Sequence, residues 1–518
     1  MRAKGSRSAP EPWWKSATVY QIYPRSFADG NGDGVGDLEG ARSRLEHLAR
    51  LGVDAVWLSP FYRSPMRDFG YDVSDHCDVD PLFGSLADFD RFLEEAHDRD
   101  IRVLVDLVPN HTSDRHPWFA ESRRSRTSPR RDWYVWRDGT PERPPNNWRA
   151  AFGAGPAWTW DEETRQWYLH LFLPEQPDLN WANPEVEAAM HGVMRFWLDR
   201  GVDGFRVDVV HGLGKDPLLP DDPPGLGGMA HSTVNDHPSV HPILRRLRRL
   251  VDGYPGDRVL VGEVYLLDTS LVAPYYGEGD ELHLAFNFPP LFTPWDAAAW
   301  RDQLTRAAAE FGPRGAWPTW VLSNHDNTRH RTRYGSEERA RAAAVLLLTL
   351  RGTPFLYAGE ELGLEDAVVA PDRAVDPGGR DGCRAPLPWD ATPGHGWGTT
   401  APWLPWPPEP AGRSVEAQEA DPSSVLNLYR RLLAARRRSP ALRLGDAALL
   451  PVPEGVLAYE RTLAGDRRAV VVNFADRPAR VPLGGSWQVE VSSARQSAGE
   501  PYAGVVAGSE ALLLRPAR

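Results

Sequence analysis

Four segments of this chain end an apolar run on a carboxylate or a histidine: Asp106-Leu107-Val108-Pro109-Asn110-His111, Gly204-Phe205-Arg206-Val207-Asp208, Val261-Gly262-Glu263-Val264 and Leu322-Ser323-Asn324-His325-Asp326. Two carboxyl groups flanking a glycosidic bond can break it, one attacking the anomeric carbon and the other, protonated, releasing the leaving oxygen. Arg206 and Asp208 are two residues apart, so on a strand they point to one face. A guanidinium there favours the ionised carboxylate that a nucleophile needs. Glu263 closes an apolar run with no charged neighbour in sequence, a setting that raises a carboxyl's pKa toward general-acid work. Asp326 supplies a third carboxylate. His111 and His325 could donate hydrogen bonds to sugar hydroxyls, although a single histidine at a strand end is more often structural. Other chemistries lack their motifs: there is no H-E-x-x-H or cysteine cluster for zinc, no G-x-S-x-G elbow and no phosphate-binding G-x-x-x-x-G-K-[ST] loop.

Residues placed this way need a scaffold that presents successive strand ends at one rim, which a (β/α)8 barrel does. The apolar runs predict strands at 19–24, 53–59, 101–108, 202–207, 259–264, 282–288, 319–323 and 353–357. Helices are expected at 38–51, 87–99, 184–200 and 424–438. After the third strand, residues 111–180 are rich in Arg, Pro and Trp and read as an inserted subdomain. A second irregular stretch covers about 359–422, on the side of the strand ends. Beyond residue 444 short alternating runs predict a small C-terminal β-sandwich. The expected division is therefore a barrel over 1–110 and 181–444, an insert over 111–180 and a β-domain over 445–518. No repeat of fixed period is present.

The segment Asp29-Gly30-Asn31-Gly32-Asp33-Gly34-Val35-Gly36-Asp37 repeats the first nine positions of an EF-hand loop, with Gly40 where its bidentate Glu would stand. A structural Ca2+ or Mg2+ is expected there, on Asp29, Asn31, Asp33, the Val35 carbonyl and Asp37. The plainer reading is a Gly- and Asp-rich turn without metal.

The formal charge of −12 excludes the basic face a nucleic-acid partner would need. The 21 Trp suit a protein that stacks sugar rings, though Trp is also a core residue. Cys77 and Cys383 are the only cysteines, too few for a disulfide framework. Residues Met1 to Pro12 lack an apolar h-region, and no apolar run approaches the ~20 residues of a membrane span. These features predict an enzyme of the cytoplasm. The scarcity of lysine (Lys4, Lys15 and Lys215) reads as a GC-rich coding bias.

Taken together, the chain resembles the α-amylase family of glycoside hydrolases, and within it the exo-acting α-glucosidase and oligo-1,6-glucosidase group. Beside the four segments, the likeness rests on Val19-Tyr20-Gln21-Ile22-Tyr23-Pro24-Arg25-Ser26-Phe27, Gly70-Tyr71-Asp72-Val73-Ser74-Asp75, Gln176-Pro177-Asp178-Leu179-Asn180-Trp181, Ala358-Gly359-Glu360-Glu361-Leu362-Gly363 and Gly379-Arg380-Asp381-Gly382-Cys383-Arg384. The resemblance implies Asp208 as nucleophile, Glu263 as general acid/base and Asp326 as the carboxylate that fixes the sugar's hydroxyls. It further implies Arg206, His111 and His325 around the terminal glucose, aromatic walls at Tyr71, Phe152 and Phe172, and Asp106 as a support from behind. Asp72 with Arg384, rather than Arg380, would grip the non-reducing end and make the action exo. Val209 resembles the α-1,6-preferring members. The string from Asp208 to Leu213 looks more like an actinobacterial branch acting on α-1,4 maltose-type substrates, and is favoured here. Tyr265, Asn327 and Thr328 depart from the expected patterns, which leaves open a glucosyltransferase or a disaccharide isomerase of the trehalose-synthase kind. A non-catalytic, transporter-associated relative would lack the carboxylates that this chain keeps.

Overall fold

The computed structural model describes residues 11–153, 155–225, 232–494 and 499–517. The first ten residues, on which the reading of the chain's start rests, lie outside them. Eight parallel strands form the barrel: Val19–Ile22 (β1), Ala55–Leu58 (β2), Arg102–Leu107 (β3), Gly204–Val207 (β4), Val259–Gly262 (β5), Leu284–Ala285 (β6), Thr319–Val321 (β7) and Thr353–Tyr357 (β8). Their hydrogen-bonded order is β6-β5-β4-β3-β2-β1-β8-β7. The seam between β6 and β7 is closed by a side chain. The Thr319 hydroxyl accepts from the Asn287 N–H (3.2 Å) and donates to the Ala285 carbonyl (2.8 Å). Beside that seam β6 has one ladder partner, which is why it keeps two residues of the predicted 282–288.

The helices follow their capping signals. Helix Pro184–Arg200 starts where Asn183 accepts the Glu185 N–H, carries Pro at its first turn, and stops at Gly201, whose φ of 109° suits glycine. Helix Leu86–His97 begins with a Ser85/Asp88 capping box. The single helix predicted over 38–51 is instead two, Leu38–Ser43 and Leu45–Leu51. Arg44 leaves helical geometry (φ −107°, ψ 5°), and its N–H is shared between the Ala41 and Arg42 carbonyls.

Between β3 and Pro184 the chain builds a three-stranded antiparallel sheet from Trp136–Arg137, Trp158–Asp161 and Gln166–Leu169. The C-terminal region is a five-stranded antiparallel sheet faced by a two-stranded one, Ala479–Arg480 with Val505–Val506. Its strands alternate as a two-faced sheet must. Val456, Ala458, Val471 and Leu512 cluster with Val506 of the smaller sheet and with Val481, which follows its first strand. Leu457, Tyr459, Val470, Val472 and Leu513 join the core of the barrel. No helix among the described residues is long and apolar enough to cross a membrane.

Two adjacent acids follow β8. Glu361 accepts from Tyr20 OH (2.8 Å) and the Gly359 N–H (2.9 Å), while Glu360 accepts the Tyr357 N–H (2.9 Å). Burial pushes the Glu360 pKa from 4.5 up to about 8. The folded state therefore keeps a proton that the unfolded chain releases above its own pKa. Stability falls as pH rises from about 4.5 to 8, by up to several kcal/mol. In Glu360→Gln that loss should be absent. Thermal midpoints of both proteins at steps from pH 5 to 8 check this: the variant should gain on wild type as pH rises, and parallel curves would contradict it.

Candidate active site

The ends of β1 to β8 open into a cavity of about 460 Å3, lined among others by Asp68, Tyr71, His111, Phe152, Phe172, Asp208, Val209, Glu263, Tyr265, Asp326 and Arg380. At its floor lies Arg206, 2 % exposed. Its Nη1 donates to Asp106 Oδ1 (2.8 Å) and Asp208 Oδ1 (2.7 Å), and its Nη2 meets Glu263 Oε2 (2.8 Å). The ring of Trp57 packs 5.0 Å from the guanidinium. One buried cation thus holds three carboxylates from three adjacent strands.

This corrects the sequence reading that gave Arg206 to Asp208 and left Glu263 without a cation. Strand pairing decides it. Arg206 lies opposite Val261 on β5, two residues before Glu263, so both side chains rise from the same face. Asp208 and Glu263 thus sit on the two terminal nitrogens of one guanidinium, Oδ1 on Nη1 and Oε2 on Nη2. Burial pushes the Asp208 pKa well up; Arg206 opposes the rise, and the charges of Glu263 and Asp106 add to it. Glu263 Oε2 also accepts the N–H of Val209 (3.0 Å), a β-branched residue held at φ 45°.

Asp106 touches no pocket space. It accepts from Trp57 Nε1 (3.1 Å), Tyr71 OH (3.2 Å) and Arg206, and burial raises its pKa to about 6 against the pull of Arg206. Tyr71 stacks on His325 (centroids 5.3 Å, 7° between planes), and its OH lies 2.7 Å from His325 Nε2. Burial lowers the His325 pKa to about 3, so the imidazole is neutral at working pH. Burial lowers that of His111 as well. Phe172 lies 5.1 Å from His111 and 5.8 Å from Phe152, which completes the aromatic wall.

Asp326 is the ionised member. Burial would raise its pKa, but His325, Arg380 and Arg384 hold it well below the carboxylate range. Arg380 Nη1 and Arg384 Nη2 each lie 3.0 Å from Asp326 Oδ1. Arg380 continues to Asp68 Oδ1 (2.5 Å) and Asp376 Oδ1 (2.7 Å). The other oxygen of Asp68 accepts from Gln176 Nε2 (3.0 Å), which is 3.1 Å from His111. A ring of polar groups, His111-Gln176-Asp68-Arg380-Asp326, closes one side of the cavity.

The pair expected to grip the sugar, Asp72 with Arg384, is not at the cavity surface. Asp72 is fully buried, and its oxygens take Ser64 Oγ (2.8 Å) and the N–H groups of Arg67 and Asp68 (each 3.0 Å). Arg384 is equally buried, on Asp376 Oδ1 (3.1 Å) and the His325 carbonyl (2.7 Å). Asp72 folds the loop that offers Asp68, and Arg384 stands behind Asp326. Asp68 was missed, although Asp68-Phe69-Gly70-Tyr71-Asp72 shows two acids four residues apart. A loop with no periodicity does not say which of them faces inward. Lys215 was passed over too. Its ammonium, 8 % exposed, bonds Asp178 Oδ2 (3.0 Å), Asn110 Oδ1 (3.1 Å) and the Gly212 carbonyl (2.8 Å), and so ties the insert to the loops after β3 and β4.

In the Asp29–Asp37 segment the oxygens serve their own loop. Asp29 accepts the N–H groups of Asn31, Gly32 and Gly34; Asn31 accepts that of Asp33, and Asp33 that of Val35. Asp37 instead accepts from the Gly40 N–H as the cap of helix Leu38–Ser43. Among the described residues no three of His, Cys, Asp and Glu gather as a metal set.

Residues 21–445 match the family described as alpha amylase, catalytic domain. The chain is 43 % identical over 509 residues to a probable alpha-glucosidase of Rhizobium meliloti (strain 1021), covering 91 % of each. It is 38 % identical over 519 residues to the oligo-1,6-glucosidase of Parageobacillus thermoglucosidasius, covering 90 % of this chain and 91 % of that one. Among solved structures, the alpha-glucosyl transfer enzyme XgtA superposes with a TM-score of 0.90 at 42 % identity, covering 98 % of this chain and all of the other. The trehalulose synthase MutB from Pseudomonas mesoacidophila MX-45 gives 0.91 at 34 %, covering 97 % and 99 %. The chain belongs to the α-amylase family of glycoside hydrolases. Its enzyme class is α-glucosidase.

Proposed function

We propose that this α-glucosidase removes terminal, non-reducing α-linked glucose from short α-glucosides, maltose-type substrates before α-1,6-linked ones, with retention of configuration. The observation that carries retention is the single guanidinium that Asp208 and Glu263 share, one on each terminal nitrogen. Carboxyls that close leave no room for the interposed water of an inverting reaction. Asp208 attacks the anomeric carbon as Glu263, acting as general acid, gives a proton to the leaving oxygen. Water deprotonated by Glu263 then cleaves the glucosyl ester. The ring formed by Asp68, Arg380 and Asp326 takes the hydroxyls of one glucose unit and blocks a second unit behind it, which makes the action exo. The cytoplasm is the proposed site of action.

A second reading, transfer of the glucosyl group to a sugar or alcohol or isomerisation of a disaccharide, is favoured by the rim where an acceptor would sit. Tyr265, Leu267 and Asn327 line the cavity there. The similarity to XgtA and MutB adds to it. Chromatographic product profiles on maltose, isomaltose, sucrose and trehalose separate the readings. Glucose as the main product from maltose supports hydrolysis; oligosaccharides or an isomer at modest substrate concentration would replace it with transfer.

For the loop we propose a structural cation, Ca2+ or Mg2+, on lone pairs remaining to Asp29, Asn31, Asp33 and Asp37 and on the Val35 carbonyl. In support, burial raises the Asp37 pKa and the negative charges of Asp29 and Asp33 add to it. EDTA should then lower the melting temperature, with activity following stability, and Ca2+ should restore both. An unchanged melting temperature would refute the ion.

A further inference from the structure

We propose that Gln21 is a positioning residue: its side-chain amide fixes the proton of His325 on Nε2, so that the buried imidazole donates to Tyr71 and Asp326, which line the pocket. Asp106 Oδ2 accepts from Trp57 Nε1 and faces Tyr71 OH at 3.2 Å, so the one phenolic proton of Tyr71 goes to Asp106. Burial, with the charge of Asp106 beside it, pushes the Tyr71 pKa far up, so that proton stays.

The Tyr71 oxygen must therefore accept from its other neighbours, Arg206 Nη1 at 3.3 Å and His325 Nε2 at 2.7 Å. His325 Nε2 also faces Asp326 Oδ2 at 3.3 Å, a second acceptor. Both contacts require the hydrogen on Nε2. In a neutral imidazole Nδ1 then carries the lone pair and needs a donor. Gln21 Nε2 supplies it at 2.7 Å, with its remaining hydrogen on Ser59 Oγ at 3.0 Å. The opposite amide orientation would place a carbonyl oxygen against the Nδ1 lone pair.

The ring itself cannot rotate out of this arrangement. It lies between Tyr23 (5.8 Å, 20°) and Tyr71 (5.3 Å, 7°), and its backbone carbonyl is held by Arg384 Nε at 2.7 Å. With position and plane already set, the choice of tautomer is what remains for Gln21, which is 2 % exposed on β1.

Charge sets the alternative. The groups facing His325 are Asp326, Arg206, Arg380 and Arg384, with Tyr23, Tyr71 and, through Tyr71, Asp106. In the wild type the arginines and burial keep the ring neutral. A carboxylate at position 21 would accept from Nδ1 and recruit a second proton, making an imidazolium beside Asp326.

The experiment is 15N NMR of histidine-labelled protein, with the His325 signals among the 15 histidines assigned by loss in His325→Asn. Wild type should show protonated Nε2 and bare Nδ1 from pH 5.5 to 8. Gln21→Met should lose that pattern, and kcat/KM should fall about 10- to 100-fold as Tyr71 and Asp326 lose the donor that orients them in the pocket wall. Gln21→Glu should show both nitrogens protonated at neutral pH, with a new basic limb in the kcat/KM profile. A wild-type ring protonated on Nδ1, or a Gln21→Met protein with the wild-type His325 spectrum, would overturn the assignment. The inference rests on the glucosidase reading only for its kinetic effect. The spectrum needs no substrate, whereas that reading fails if wild type turns over no α-glucoside.

Discussion

Asp208→Ala should leave no measurable turnover of any α-glucoside, while Glu263→Gln should lose about 10²–10⁴ in kcat/KM on maltose and far less kcat/KM on a glucoside with a good leaving group. The difference follows from what each carboxyl supplies. Asp208 forms the bond to the anomeric carbon, so without it no covalent path exists for any substrate. Glu263 supplies a proton to the departing oxygen, which a stable leaving anion does not need. In Glu263→Gln the glucosyl ester should then accumulate, because the same residue activates the water that removes it, and a small anion such as azide should release it as glucosyl azide. Rates on maltose and on a nitrophenyl glucoside, with and without azide, check both statements. Equal losses on the two substrates would contradict Glu263 as the acid. Wild-type rates in Asp208→Ala would contradict the nucleophile.

The second large effect separates two neighbouring acids. Asp68→Asn should lower kcat/KM by about 10- to 150-fold, the worth of one hydrogen bond to a charged group at 1.5–3 kcal/mol. Asp68 faces the cavity and is held there by Arg380 and Gln176. Asp72→Asn should leave KM near wild type and instead lower the melting temperature, because Asp72 meets only Ser64 Oγ and two backbone N–H groups of its own loop. Kinetics and thermal midpoints of the two variants decide it. A KM defect in Asp72→Asn with none in Asp68→Asn would restore the pair first read from the sequence.

That exchange shows where the sequence stops being legible. Regular elements were read to within a few residues because their signals are local. The strand at 353–357 and the helix at 184–200 have their predicted limits, set by apolar runs, Asn183, Pro184 and Gly201. The three carboxylates were legible because parallel strands end at one rim. What failed depends on contacts across elements. The cation beside Glu263 comes from the neighbouring strand, which no count along the chain reveals. Asp68 and Asp72 differ only in which way an irregular loop turns. Lys215, first taken as a trace of coding bias, gains its role from Asp178 in the insert and Asn110 after β3. The relay from Gln21 through His325 to Asp106 draws on β1, β7 and β3, and likewise exists only once the barrel has formed.

The central claim is double displacement through Asp208, and proton NMR of the first glucose released from a nitrophenyl α-glucoside, whose only sugar product is the transferred unit, tests it most directly, because the anomers exchange slowly enough to be caught. The claim predicts α-glucose as the initial product, relaxing later to the equilibrium mixture. Initial β-glucose would contradict it, and with it the close carboxyl pair on Arg206 as the geometry of catalysis.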